Sequence, residues 1–390
     1  MTTTPQIIGV GTSEIGSTDL TGRDLFTAAI TEAFDGLPAP ADIVDALYVG
    51  NQSETYEHQI MYGSLVAEWC GLRYVPAERV EGCAAAGALA LKNAVRDVQS
   101  GHHDVVLACG VEKMTAGGTA GATDALSAAF DRALEQRSGI TAPSQYALLG
   151  QRYLHETEAT EEDLARIAVK NHRNAARNPR AHFQREIAVE TVLESDYVAP
   201  PLKLFDCAPV SDGSAVVVVA SEERAAELVS ADDRVTVGGV GAAANNIGVA
   251  DRHLTVIEGA NRAAQHAYDE AGITADAVDV AEVHDAFTVC EALLAEAAGF
   301  APRGLGYESA LEPTERSAGW TDVHLSTSGG LKARGHPIGA TGLTQAVEVY
   351  EQLTQTATPE RQVEDATVGL LMNEGGVADA VTVAHVLTAY

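Results

Sequence analysis

A chain of 390 residues with 46% apolar content is long enough for two or three domains with sizeable cores and too apolar to stay disordered. Its 55 acidic residues outnumber its 25 basic ones, and the resulting net charge of −30 argues against nucleic acid or an anionic membrane as a partner. No stretch reaches the roughly eighteen apolar residues that a membrane helix needs, and the Met1–Pro5 start is polar, so a soluble cytoplasmic protein is expected. Lys92, Lys113, Lys170, Lys203 and Lys332 are the only lysines; an acidic, lysine-poor surface suits a salt-loving host, where carboxylate repulsion is screened. Cys70, Cys83, Cys109, Cys207 and Cys290 are scattered without a C-x-x-C pair, which argues against a disulfide framework or a zinc site.

The chain opens with an apolar strand at Ile7–Gly11, followed by a helix from Gly22 to about Phe34. Asp42–Asn51 reads as a second strand, Ile60–Trp69 as an amphipathic helix, and Val80–Leu91 as a turn entering a small-residue helix that ends at Ser100-Gly101. A buried strand is expected at Asp104–Gly110. From Ala116 to Leu204 the pattern changes to helical stretches, including Glu161–Arg177, and this segment reads as an insertion. Strands resume at Gly213–Ala220 and Arg234–Gly241, then come a helix at Leu254–Ala271, a strand at Val278–Val283, His284-Asp285-Ala286-Phe287 and a helix to about Ala298. Two strands, Ala366–Met372 and Ala380–Leu387, close the chain across Asn373-Glu374-Gly375-Gly376. Strands alternating with helices predict an α/β fold.

The most unusual stretch is Ser326–Gly342, in which Gly329, Gly330, Gly335, Gly339 and Gly342 bracket a single His336-Pro337 pair just ahead of a helix. Backbone N–H groups at such a helix start are free to bind an anion. The first half of the chain echoes this arrangement: a small-residue loop holding Cys83, a helix, then an apolar strand. Such a duplication would bring both helix N-termini to one crevice.

On these residues the chain resembles the thiolase family. Gly329–Gly342 resembles its glycine-histidine-proline signature, Ala108-Cys109-Gly110-Val111-Glu112-Lys113-Met114 resembles a second motif, and Pro209–Ala215 resembles the end of its inserted loop domain. His284-Asp285-Ala286-Phe287 is similar to the H-D-C-F motif of the archaeal and sterol-carrier-protein-type branch. The resemblance implies two similar βαβ-type halves in a five-layered αβαβα arrangement. In that reading residues 1–117, completed by 205–228, form one half, 229–390 the other, and 118–204 a loop domain covering coenzyme A. It implies an acyl-CoA C-acyltransferase that condenses two acetyl-CoA to acetoacetyl-CoA or runs the reverse, with coenzyme A thioesters as substrates and no bound cofactor or metal. Cys83 would be the nucleophile, as a thiolate favoured by a helix N-terminus. His336 would be its base, His284 the group polarising the second thioester, and Gly375, with Ala84 and Asn373 beside it, would supply oxyanion-hole contacts. A homodimer or tetramer is implied, and a small partner with an oligonucleotide/oligosaccharide-binding-type fold is a further possibility.

Two departures leave alternatives open. The family spacing C-x-x-G, counted back from Gly87, lands on Ala84, one residue past Cys83. One residue turns a helix start by about 100°. Either the loop is reshaped to present Cys83, or position 84 stands in for a serine or cysteine, or no acyl-enzyme forms and the chain is a scaffolding subunit of an acyl-transfer complex. The cysteines that remove the α-proton in other thiolases correspond to Asn373 and Ala286 here, so a histidine is expected to move that proton. Cys290 shares a helical face with Ala286 but reads as core, as do Cys70, Cys109 and Cys207. His102 and His103 follow a helix cap and are expected to face solvent.

Overall fold

The computed structural model describes residues 3–390. In chain order its strands are β1 (Pro5–Thr12), β2 (Ala46–Gly50), β3 (Ala77–Val80), β4 (Val105–Lys113), β5 (Tyr197–Ala199), β6 (Leu202–Lys203), β7 (Asp212–Ser221), β8 (Val235–Ala244), β9 (Val280–Glu282), β10 (His324–Leu325), β11 (Val368–Gly375) and β12 (Val381–Ala389). All but the β5–β6 hairpin join one sheet in the order β10-β9-β11-β12-β8-β1-β7-β4-β2-β3.

That order is a duplication. Read outward from the β1–β8 junction, each half places its first strand innermost, then its fifth, fourth, second and third. The directions repeat as well: β1–β7, β7–β4 and their counterparts β8–β12, β12–β11 are antiparallel, whereas β4–β2–β3 and β11–β9–β10 are parallel. Within the sheet, the halves pair through Gln6 opposite Thr236 and Ile7 opposite Val235. Central strands such as β7, buried at every position, read as unbroken valine runs because both faces are covered.

Helices Ala86–Gln99 and Thr341–Leu353 occupy the middle layer, where Leu91, Ala94, Val98, Leu343, Ala346 and Val347 form one core with both halves of the sheet. Helix Gly22–Ala33 covers the outer face of the first half and helix Glu258–Ala271 that of the second, giving five layers. The segment between β4 and β7 contributes helices Gly118–Ser127, Ala142–Glu156 and Glu161–Ala175 and the β5–β6 hairpin, and packs over the second half's Phe287, Leu293 and Leu294.

Some boundaries differ from expectation. Only Ala46–Gly50 of the expected Asp42–Asn51 strand is extended. Pro40 opens a single helical turn at Pro40–Ile43 instead, and the Asp45 carboxylate then accepts the Asp104 and Val105 N–H groups, tying the turn to β4. The helix expected from Leu254 begins at Glu258. Strands β3 and β10 had no counterpart in the sequence reading: one is a partly exposed Ala-Glu-Arg-Val without alternation, the other two residues long.

Candidate active site

Three chain segments converge where the two central helices begin. Cys83 follows Gly82 at φ +52°, a left-handed conformation that is strained for a side-chain-bearing residue, and opens a tight turn, Cys83–Ala85, before the helix starts at Ala86. This backbone brings Cys83 to the cavity beside Ala84. Ala84 follows it with its methyl group packed near Tyr56, Met114 and Ile338. His336 is presented by the loop ahead of helix Thr341–Leu353, whose Gly335 at φ +109° lies so close to Ile15 and Ser211 that a Cβ there would stand 2.6 Å and 2.8 Å from them. His284 comes from the end of β9.

Cys83, Ala84, His284, Ala286, His336 and Gly376 all line one cavity of about 290 Å³. Its remaining wall is mostly apolar, with Met114, Leu126, Phe130, Tyr146, Phe287 and Ile338. The two imidazoles meet edge to face with ring centroids 5.0 Å apart. His336 Nδ1 lies 2.7 Å from Thr341 Oγ1, and that hydroxyl donates its own proton to the Pro337 carbonyl at 3.0 Å. The threonine oxygen therefore accepts from His336 Nδ1–H, which leaves Nε2 as a free base. His284 Nδ1 accepts from Asn373 Nδ2–H at 2.9 Å, so its Nε2 carries the proton. The two rings thus offer opposite functions, one acceptor and one donor.

Electrostatics keep this site neutral. Burial depresses His284 to about 3 and His336 well below the usual imidazole range, with Arg334 adding to both effects. Burial pushes the Cys83 thiol up to about 11, although the backbone N–H groups of Gly376 and Ala84, which face its sulfur, pull the other way. This corrects the expectation of a resting thiolate: a short helix start does not offset desolvation of the sulfur, so the proton must be removed when the thiol reacts.

A second correction concerns the glycine. Gly376, not Gly375, faces Cys83; Gly375 is packed against the preceding loop, where a Cβ would stand 2.0 Å from the Gly82 carbonyl oxygen. The Cys83 N–H is itself engaged by Glu81 Oε1 at 2.7 Å. Ala84 and Gly376 are then the backbone donors aimed at the sulfur.

The remaining motif residues hold these loops. Glu112 is buried and accepts from Gln52 N at 2.6 Å, Asn51 Nδ2 at 2.9 Å and Gly339 N at 3.0 Å, tying the end of β4 to the His336 loop. Asp212 accepts from Lys113 Nζ at 2.5 Å and Thr115 N at 2.8 Å. Asp285 accepts from Leu331 N at 2.7 Å and Asn171 Nδ2 at 2.6 Å, which places His284 against the glycine loop and the inserted segment. Thr341, Tyr146 and Asn171 were not singled out by sequence reasoning; only Thr341 lay within a motif, the Gly-Ala-Thr-Gly that closes the histidine loop. Cys109 and Cys290 are buried in the core and absent from the cavity lining, and Cys70 packs beside the outer core, whereas Cys207 reaches the cavity rim. Among the described residues one group of three potential metal donors, Asp97, His102 and His103, has its ligand atoms within 4.8 Å. It lies at the far end of the Cys83 helix, about 20 Å from the thiol by helix length.

Residues 6–223 match the family described as thiolase, N-terminal domain, and residues 241–388 the one described as thiolase C-terminal domain-like. The chain is 40% identical over 380 residues to an acetyl-CoA acetyltransferase of Methanothermobacter thermautotrophicus, covering 97% of each chain. It is 36% identical over 364 residues to the benzoylsuccinyl-CoA thiolase subunit BbsB of Thauera aromatica, covering 92% of this chain and 91% of that one. Among solved structures it is similar to an Ltp2-ChsH2(DUF35) aldolase, with a TM-score of 0.82 at 24% identity, covering 99% of this chain and 98% of that one; this likeness concerns the fold. The duplicated five-layered architecture, the matches to both domain families and the close relatives over nearly full length agree: this chain is an acyltransferase that uses coenzyme A thioesters, and it belongs to the thiolase family.

Proposed function

We propose that the chain condenses two acetyl-CoA molecules to acetoacetyl-CoA, or runs the reverse, through an acyl-enzyme on Cys83. One observation carries this reading: a thiol, a free imidazole acceptor and an imidazole donor share a single cavity. In the first half-reaction the Cys83 sulfur attacks the thioester carbonyl as its proton passes to His336 Nε2, which returns it to the departing coenzyme A sulfur. The Ala84 and Gly376 N–H groups hold the negative oxygen formed on the way. In the second, His336 takes an α-proton from another acetyl-CoA, and His284 Nε2–H supports the enolate oxygen. The α-carbon attacks the acetyl group, the thiolate leaves, and His336 reprotonates it. The absence of a thiol at positions 286 and 373 is what assigns the α-proton to His336.

The same reading places the chain in the H-D-A-F branch, in the cytoplasm of a salt-loving host, with residues 118–204 covering coenzyme A, and as a homodimer or tetramer. A second reading, a thiolase-fold subunit with weak chemistry of its own that serves an acyl-transfer complex with a small partner, is favoured by the burial that raises the Cys83 pKa, by the relative described as a thiolase subunit and by the likeness of fold to the structure described as an Ltp2-ChsH2(DUF35) aldolase. Incubation of the purified chain with acetyl-CoA followed by peptide mass spectrometry separates them. An acetyl group on Cys83 supports the enzyme reading; its absence, even with a partner protein added, supports the other.

A further inference from the structure

We infer that Tyr146 is a positioning residue for Cys83, holding the 376–378 turn so that the Gly376 N–H faces the sulfur. The inference rests on the reading of Cys83 as the nucleophile. Tyr146 belongs to helix Ala142–Glu156 of the inserted segment and is 4% exposed. Its ring stacks on Phe287, with centroids 4.4 Å apart and planes inclined by 27°. Its hydroxyl donates to the Gly376 carbonyl at 3.1 Å and accepts the Ala378 N–H at 3.1 Å. One oxygen therefore satisfies two backbone groups, one half-buried and one buried, that lie 230 and 232 residues away in sequence.

The turn it clamps does not hold its shape by propensity. Gly376 sits at φ +79° and Ala378 at φ +50°, and a left-handed alanine persists only where its surroundings over-determine it. Gly376 and Cys83 line the same cavity, and the preceding Gly375 is pressed onto the Gly82 carbonyl just before Cys83. A relaxed turn would swing the Gly376 N–H away from the sulfur. The hydroxyl bonds the peptide after Gly376, not the one carrying its N–H, so it acts through geometry and not by polarising the donor. The inserted segment, on this view, completes the nucleophile's surroundings as well as covering the cavity.

The test is Tyr146→Phe, which keeps the stack and removes the hydroxyl. Iodoacetamide alkylation of Cys83, followed peptide by peptide in the full chain as a function of pH, needs no acyl-CoA. The expected result is a midpoint about one pH unit higher than in the wild type, hence about tenfold slower alkylation at a fixed pH below it. In acetyl transfer, kcat is expected to fall with KM little changed. A Tyr146→Phe profile superimposable on the wild type overturns the inference, as does an equal shift in Phe287→Leu, which keeps the hydroxyl bonds and loses the stack. Should Tyr146→Phe not fold, hydrogen exchange of the wild-type chain decides: the Ala378 amide is expected to be protected, and free exchange there overturns the clamp. If wild-type Cys83 takes no acetyl group, the functional reading fails, but the alkylation profiles still judge Tyr146.

Discussion

A methyl group on Gly342 would stand 2.4 Å from the backbone nitrogen of Ala88. The two central helices therefore touch backbone to backbone one or two turns beyond Cys83 and His336, and this contact sets the distance between the loops that hold them. Gly342→Ala must push the helices apart. Overpacking of this kind costs about 1–3 kcal/mol, visible as a lower urea midpoint. Because the loops move with their helices, acetylation of Cys83 should slow about 100-fold, the effect of a misplacement near 1 Å. Wild-type kinetics in a folded Gly342→Ala chain would show that the crossing does not set the site.

Thr341 is expected to govern which nitrogen of His336 is basic. Its oxygen accepts Nδ1–H while its own proton is committed to Pro337. Thr341→Val keeps the shape and removes the acceptor, so the ring is free to carry its proton on Nε2 and loses its fixed orientation. The rate of Cys83 acetylation should fall about 10- to 100-fold, part of the 10²–10⁴ attributed to a general base. Thr341→Ser should retain most of the rate; equal losses in both variants would refute the hydroxyl's role.

Much of this was legible in the chain. Unbroken apolar runs such as Val216–Val219 identify buried strands, and two small-residue loops ahead of helices announce the duplication and the pair Cys83 and His336. Counting glycines, however, pointed to Ala84 alone, whereas Cys83 and Ala84 both line the cavity, because residue spacing cannot see a left-handed residue followed by a tight turn. The resemblance pointed to Gly375, whereas Gly376 lines the cavity, since which of two adjacent glycines faces a sulfur depends on backbone direction alone. Tyr146 and Asn171 were invisible for another reason. Their partners lie 230 and 114 residues away, and nothing local in an amphipathic helix marks one polar residue as reaching another half of the molecule. The thiol's resting state depends on desolvation, which only packing reveals.

His385 offers a test of stability independent of function. It lies on β12, fully buried, with neither ring nitrogen hydrogen-bonded among the described residues, and burial, aided by Lys92 and Arg96, lowers its pKa to about 3. In the unfolded chain it binds a proton near pH 6.5 and in the folded chain only near 3. Between those values the unfolded state holds more protons, so stability falls as pH falls, and above pH 6.5 this contribution is fully present. His385→Leu removes two unsatisfied polar atoms at similar volume. Stability at pH 7 should rise by about 1–3 kcal/mol, and the loss between pH 6.5 and pH 4 measured by urea titration should shrink. An unchanged acid slope would contradict the assignment.

The net charge of −30 predicts a salt requirement. The Debye length shortens from about 10 Å at 0.1 M to about 3 Å at 1 M salt, so repulsion among surface carboxylates should fade while buried pairs such as Arg252 with Asp379 persist. The thermal midpoint should rise from 0.1 M to 2 M potassium chloride. A midpoint that stays level across this range would mean that the acidic surface is not what limits stability.

The neutral site makes a distinctive prediction for pH dependence. If Cys83 and His336 rested as a thiolate–imidazolium pair, acetylation would rise and fall around the pair's own titration near neutrality. Here the thiol titrates at about 11 and His336 well below 6.5, both through burial. The base is lost only when His336 gains a proton, so the acid limb must lie well below pH 6.5, and the rate of Cys83 acetylation should stay level from pH 6.5 to pH 8. Alkylation by a small electrophile, which follows the thiolate alone, should instead keep climbing toward about pH 11. His336→Ala should slow acetylation about 10²- to 10⁴-fold while leaving that alkylation profile near its place. A bell centred near pH 7 in the wild type, or an alkylation midpoint that drops below 8, would show that the sulfur is already ionised at rest and that His336 serves as its counter-ion instead of its base.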